Sequence, residues 1–344
     1  LAAIDDLTNR FNDQRLATMS QMNMLEAIRD ALGSEMAADD RVMLMGQDIG
    51  KFGGIFRATD GLLAKFGDKR VIDMPLAEGA IIGSALGLAI SGFRPVAEIQ
   101  FLGFTQQAFH QIVQQVARMR HRSRGRFVAS MVIRAPFGGG VRTPELHCDA
   151  IEAQFAQAQG LKVIAPSNPY DAKGMLLSAI RDPDPVLFCE PLHGYRFIKG
   201  EVPSSDYTID IGKANVVREG SDVTLIAWSA AVNLALRAAE VLSMEGVSAH
   251  VVDIRSLLPL DVDSIVAAAE KTGRCVIIHE ASLTGGFGAE VAATISSDAF
   301  YSLRAPIERV TAPDAPYPLA AAEQMFIPGV ERVLAAARRT LETQ

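Results

Sequence analysis

Twice along this chain, short apolar runs alternate with stretches of helical periodicity, and a segment of proline, glycine and polar residues separates the two series. That order constrains the fold more than any single motif. Short apolar runs set between helices make strands buried on both faces, which means a mostly parallel sheet covered by helices. In the first series the strand candidates are residues 41–45, 70–72, 95–99, 128–133, 162–165 and 186–188. Helical patterns cover 22–35, 78–90, 105–119, 150–159 and 169–180, the last with Asn168 as N-cap and Pro169 at the first helical position. The second series has strand candidates at 222–227, 247–253, 274–279 and 307–310, with helices at 231–244, 262–271 and 289–295. The expectation is an N-terminal arm over 1–20, an α/β domain over 21–192, a linker over 193–215 and a second α/β domain over 216–344.

A length of 344 residues gives each domain enough chain for its own core. The net charge of -7 argues against a nucleic-acid binder but leaves small anionic substrates open. Three widely spaced cysteines form no metal or disulfide pattern, so reduced thiols are expected. The charge-free stretch 79–93 falls short of the ~20 residues a bilayer requires, and no membrane association is expected. The acidic, polar start lacks the features of a secretory signal. Cytosol follows, or the mitochondrial matrix if a transit peptide has been removed.

Several local patterns carry possible chemistry. Glu78 follows a strand candidate and opens a helix, where ligands bind in open parallel sheets. The helix dipole would favour its ionised form, while Leu76, Ile81 and Ile82 would oppose it. A catalytic carboxylate and a merely dipole-favoured helix start both satisfy this pattern. Gly79, Gly83 and Gly87 leave one helix face nearly bare, suited to close packing on another helix, across a subunit interface or within a crowded core. Gly138-Gly139-Gly140 leads a loop that delivers His147, which is either a proton shuttle or simply solvated. Cys148 beside it has no orienting third group, which disfavours a Cys–His nucleophile. Five arginines with His121 between Arg118 and Arg126 end a helix or face an acidic partner surface; without interleaved aromatics they are not a nucleic-acid patch. Gly286-Phe287-Gly288 lacks the third glycine of a dinucleotide loop and reads as a turn. No G-D-G motif followed by a distant Asn occurs, and no P-loop, so nothing here would grip a Mg-diphosphate.

Taken together, the chain from Gln21 onward resembles the β subunit of the E1 component of 2-oxo acid dehydrogenase complexes. The matching segments are Gly46-Gln-Asp-Ile-Gly50, Gly53-Gly-Ile-Phe-Arg57, Pro75-Leu-Ala-Glu78, Ala97-Glu-Ile-Gln-Phe101, Pro144-Glu-Leu-His147, Pro166-Ser-Asn-Pro-Tyr-Asp-Ala-Lys-Gly174 and Lys271-Thr-Gly-Arg274. The resemblance implies a transketolase-like pyrimidine-binding domain followed by a transketolase-like C-terminal α/β domain. It implies an α2β2 heterotetramer with thiamine diphosphate at the α/β interface, the α subunit holding Mg2+ and the diphosphate. Glu78 would hydrogen-bond N1′ of the cofactor's aminopyrimidine and favour its imino tautomer. Phe104 would pack on the same ring, with Leu76 and Gln100 lining the pocket. His147 would stabilise intermediates and assist acyl transfer to the lipoyl arm of E2, which docks on the C-terminal domain. A structural K+ would map to carbonyls of Met131, Ala179, Ile180, Asp182 and Asp184, the last often Asn in relatives. The implied reaction is oxidative decarboxylation of a 2-oxo acid, pyruvate slightly ahead of branched-chain substrates. The alternatives are the β chain of an acetoin dehydrogenase, or an inactive adaptor with the same fold.

Overall fold

The computed structural model describes residues 18–342. Its strands are β1 (Met19–Asn23), β2 (Val42–Gly46), β3 (Val71–Asp73), β4 (Arg94–Glu98), β5 (Val132–Phe137), β6 (Lys162–Ile164) and β7 (Val186–Pro191), then β8 (Lys199–Pro203), β9 (Asn215–Arg218), β10 (Val223–Ala227), β11 (Ala249–Asp253), β12 (Ser256–Leu258), β13 (Cys275–Ser282) and β14 (Glu308–Ala312). The longer helices are α1 (Met24–Ala38), α2 (Glu78–Ile90), α3 (Pro169–Arg181), α4 (Ala230–Met244), α5 (Val262–Thr272), α6 (Gly288–Asp298) and α7 (Val330–Glu342).

The apolar runs pair side by side in parallel, as strands joined by helical crossovers must. The first sheet has the order β12-β6-β7-β5-β4-β2-β3, parallel except for β12, and the second the order β14-β13-β10-β11-β9, parallel except for β9. Local chemistry sets several boundaries. Asn23 and Glu26 cap α1 reciprocally, with bonds of 3.0 and 2.8 Å. Asn168 caps α3 by accepting from the Asp171 N–H at 2.9 Å. Gly273 ends α5 in the left-handed conformation, where a side chain would be strained.

Elsewhere the periodicity misleads. Residues 105–119 form no single α-helix: a 3-10 segment, Leu102–Ala108, is followed by a π-helical turn, Gln111–Val116. The fifth strand begins at Val132 rather than 128, because its ladder partners are Val96 and Val186. Only Glu152–Ala156 of the expected helix at 150–159 is helical. The segment expected as linker carries a short helix, Gly194–Phe197, and β8, which pairs antiparallel with β1 at the end of the expected arm. Residues 1–17 of that arm lie outside the described part.

The two sheets share a core. Trp228, Ile226, Ile254 and Leu257 of the second series pack in one apolar cluster with Phe155, Ile133 and Leu187 of the first. β12, from the second series, adds itself to the edge of the first sheet beside β6. The seam is pinned by Arg255, whose Nε and Nη2 donate to Asp171 at 2.8 and 2.7 Å. Ser167 Oγ donates to the buried Asp253 at 2.5 Å across the same seam. Asp171 is 1% exposed, so Arg255→Ala strands a carboxylate and is expected to cost about 3 kcal/mol. Urea denaturation of the variant measures this; a loss under about 0.5 kcal/mol would mean the pair is not what holds the seam.

Among the described residues no helix is long and apolar enough to cross a membrane. The three cysteines are all buried and free.

Candidate active site

In a parallel sheet the C-terminal strand ends form one edge, and the loops leaving it are neighbours whatever their distance in sequence. β2, β3, β4 and β5 send out the segments containing Asp48, Glu78, Gln100–Phe104 and His147. The first and last of these strands in sheet order, β3 and β5, are three intervals apart, about 14 Å at the usual strand spacing.

Asp73, the last residue of β3, accepts from the Gly50 N–H at 2.6 Å and the Lys51 N–H at 3.1 Å, tying the loop after β2 to the approach to α2. A Cβ on Gly50 would lie 2.9 Å from the same carboxylate, so the glycine is needed for that approach. Glu78 is the first residue of α2 and half-buried. Among the described residues its carboxylate has neither a hydrogen bond nor an ion pair. Leu76, two residues earlier, is 72% exposed, an apolar side chain left open at the strand edge. Gln100 Nε2 reaches Asp48 Oδ2 only at 3.5 Å, leaving its amide weakly committed.

Phe104 sits in the 3-10 segment after β4. Its ring meets His147 edge-on at 5.0 Å and Phe101 at 5.3 Å, and Phe101 in turn meets His147 at 4.6 Å. Contact between the two loops depends on Gly103: a Cβ there would fall 2.2 Å from the Leu146 carbonyl. His147 Nδ1 lies 2.9 Å from the Glu145 carbonyl, which can only accept. Nδ1 therefore carries the proton in the neutral ring, and Nε2 is the free acceptor. Cys148 is 1% exposed with its thiol 2.6 Å from Thr143 Oγ1, and burial pushes that thiol up, consistent with the disfavoured nucleophile reading.

Beneath the edge lies a group of charges hidden inside apolar runs. Arg134 on β5 donates through Nε and Nη2 to Glu190 at 2.7 and 3.0 Å and through Nη1 to Glu98 at 2.8 Å. Tyr195 donates to Glu190 as well. Arg134 is 2% exposed and Glu190 fully buried. Burial raises the Glu98 carboxyl, opposed by the charge of Arg134. Burial also opposes the charge on Arg134, but Glu190 and Glu98 outweigh it and keep the guanidinium protonated.

The positions expected to bind a monovalent cation are already engaged. Ile180 O accepts from Arg94 Nη1 at 2.6 Å, and Asp182 O lies 3.4 Å from the same nitrogen. Met131 O accepts from the Val186 N–H and Ala179 O from the Asp182 N–H. Lys162 pairs with the Asp182 carboxylate and Arg120 with Asp184. A cation on these carbonyls would share those of Ile180 and Asp182 with Arg94, and would have the Lys162 and Arg120 pairs beside it. Among the described residues no group of three His, Cys, Asp or Glu is placed to hold a metal.

The glycines of α2 divide: a Cβ on Gly79 would meet the Gln107 carbonyl and the Gln111 side chain at 3.5 Å, whereas among the described residues one on Gly83 or Gly87 would meet nothing within 4 Å, so the crowded-core reading does not hold at those two. Gly286 and Gly288 are explained by His279, whose ring a Cβ at either would approach within 2.7 Å. The arginine run ends its helical segment with Arg120 paired to Asp184.

Fold and edge define a class, the transketolase group. Residues 20–196 match the transketolase pyrimidine-binding domain, and residues 212–333 match the transketolase C-terminal domain. A solved split-gene transketolase, described as an inactive β4 tetramer, superposes with a TM-score of 0.77 at 26% identity, covering 94% of this chain and 99% of that one. Within the group, the chain belongs to the family of pyruvate dehydrogenase E1 component β subunits. It is 51% identical over 324 residues to the member from Bacillus subtilis and to that from Staphylococcus aureus, spanning 94% of this chain and 100% of each relative.

Proposed function

We propose that this chain supplies the pyrimidine-facing half of a thiamine-diphosphate site for oxidative decarboxylation of pyruvate, with acyl transfer to a lipoyl-bearing partner, and is active only with an α subunit. The observation that carries the reading is the Glu78 carboxylate, half-buried at a helix start and unpartnered among the described residues, in a chain with no diphosphate-gripping motif. The donor set fits the aromatic end of that cofactor. A carboxylate can meet a protonated ring nitrogen, the aromatic ring of Phe104 and the aliphatic side chain of Leu76 can flank a heterocycle, and Gln100 has an amide to spare. Bound, the cofactor would supply the nucleophilic carbon and the electron sink that a bare protein lacks.

The residues themselves bind, orient and move protons. Glu78 would accept a hydrogen bond from the protonated ring nitrogen and hold that proton at a fixed place. Phe104 and Phe101, at the same sheet edge, would exclude water beside the bound ring, which would strengthen that hydrogen bond. His147, with Nε2 free, would exchange a proton with the acyl oxygen or the lipoyl sulfur during transfer. The open face of α2 at Gly83 and Gly87 supports a second chain packing there. Mg2+ and the diphosphate fall to the α subunit in this reading, and E2 docks on the C-terminal domain. A K+ near Asp182 would share its oxygens with Arg94. The bacterial relatives support a cytosolic setting. Their names carry pyruvate, which does not favour the branched-chain, acetoin or adaptor readings.

Co-expression with the α chain and assay on pyruvate, branched-chain 2-oxo acids and acetoin tests this. Pyruvate is expected to be turned over at a kcat/KM at least about tenfold above the others, and the isolated chain to be silent. Equal or greater activity on acetoin sinks the reading.

A further inference from the structure

We propose that Glu280 and Glu323 of the C-terminal domain are positioning residues for His147, forming a carboxylate latch that sets its loop from across the domain seam. This rests on the role read for His147 above.

The loop 138–148 leaves β5 through three glycines, and each faces a different obstacle. A Cβ on Gly138 would lie 2.2 Å from Glu280 Oε2, one on Gly139 1.9 Å from the Tyr317 hydroxyl, and one on Gly140 2.3 Å from His193 Nδ1. Gly138 and Gly139 thus permit close approach by the second domain, and Gly140 by His193. What approaches is carboxylate. The Gly139 N–H donates to Glu280 Oε2 at 2.9 Å. The Gly140 and Arg142 N–H groups both donate to Glu323 Oε1, at 3.0 and 3.1 Å, and Tyr317 donates to the same oxygen at 2.7 Å.

Such a cradle of successive backbone N–H groups is a nest for an anion, here filled by the protein's own side chains. Neither glutamate has an Arg or Lys partner among the described residues, although Glu323 is only 1% exposed. A buried carboxylate held by neutral donors is a costly way to close a seam. Hydrogen bonds to a charged acceptor are roughly twice as strong as neutral ones, and this is what the arrangement gains. The crowding leaves a mark: burial, with Glu152 and Glu323 nearby, pushes the Glu280 carboxyl up to about 7 against the lowering pull of the Gly139 N–H.

The far end of the loop is fixed separately. Leu146 O lies against Gly103, and Thr143 meets Cys148 at 2.6 Å. Arg142 and Leu146 both have positive φ, 58° and 68°, a conformation that persists in such residues only when the surroundings enforce it. The latch holds the loop at Arg142, five residues before His147, and the first domain holds it at Leu146, the residue that precedes His147.

The test uses the assembled enzyme with its α subunit. Glu323→Leu removes the acceptor and Glu323→Gln keeps an oxygen in its place. Tyr317→Phe, which deletes only one hydroxyl, serves if the leucine variant does not fold. Two readouts apply: the rate of tryptic cleavage after Arg142, and acyl transfer to a lipoyl domain, with His147→Ala as reference. Expected are cleavage at least about tenfold faster and transfer reduced toward the His147→Ala level in Glu323→Leu, with Glu323→Gln retaining most of both and Tyr317→Phe shifted the same way by less. Combining Glu323→Leu with His147→Ala should add little further loss, because both act through one group. Unchanged cleavage, or fully additive losses in the double variant, overturns the latch. Normal transfer by His147→Ala overturns the role read for His147 instead, and the cleavage rates then decide alone whether the carboxylates hold the loop.

Discussion

Replacing Glu78 with alanine in the assembled enzyme is expected to lower turnover by about 10²–10⁴-fold, roughly 3–5 kcal/mol of barrier, with cofactor in excess. The stability cost should be small. Glu78 has no hydrogen bond or ion pair to lose among the described residues, and its remaining favourable contact is with the dipole of α2, about 0.3–1 kcal/mol. The two numbers together separate a catalytic carboxylate from a helix-start residue, which would show the small stability loss and no rate effect. Glu78→Gln sharpens the comparison: it keeps the shape but cannot carry the charge, so it should fall with alanine rather than with wild type. Normal turnover in Glu78→Ala would refute the mechanism.

The second large effect is on folding. Arg134→Met leaves Glu98 and Glu190 buried without their cation and is expected to cost about 3–5 kcal/mol near neutral pH. The loss should depend on pH with a definite sign. Burial already raises the Glu98 carboxyl above the ordinary 4.5, and Arg134 is what opposes this, so its removal raises the carboxyl further. A carboxyl with a higher value folded than unfolded binds its proton more tightly in the folded state. Its contribution is fully present below the unfolded value and is lost as pH rises through the folded one. The variant should therefore lie closer to wild type at pH 5 than at pH 8. Urea midpoints at the two pH values measure this; a loss that is flat with pH, or below about 1 kcal/mol at pH 8, means the charges are not held as described.

The legibility of this protein differs between its layers. Strands buried on both faces advertise themselves as apolar runs, so most strands of both sheets were readable, and α2 and α3 were nearly complete because Asn168, Pro169 and the flanking strand ends punctuate them. The edge strands β1, β8, β9 and β12 were not. They are short, and pairing with distant partners makes them strands, not their own pattern. α7 also escaped, although Val333, Leu334, Ala336 and Ala337 bury one face of it in the second domain. At the site, Glu78, Phe104 and His147 could be picked out because each stands beside a motif. Glu98 and Arg134 were single charges inside hydrophobic runs, and Glu280 closed another; a lone charge in a buried strand is the signal that could have exposed them, since such a charge must be paired.

The sequence by itself determined the class of fold, the order of the two domains, and the lack of a diphosphate-gripping motif. These follow from local periodicity and from short motifs, whose chemistry is contained in a few consecutive residues. Only the tertiary structure decided that β12 crosses to the first sheet, that Arg94 stands among the carbonyls expected to face a cation, and that two carboxylates from the second domain grasp the loop of His147. Each of these joins residues 80 or more positions apart. Hydrogen bonds and ion pairs depend on distance in space, and the sequence pattern along the chain carries no record of which distant groups the core will bring together.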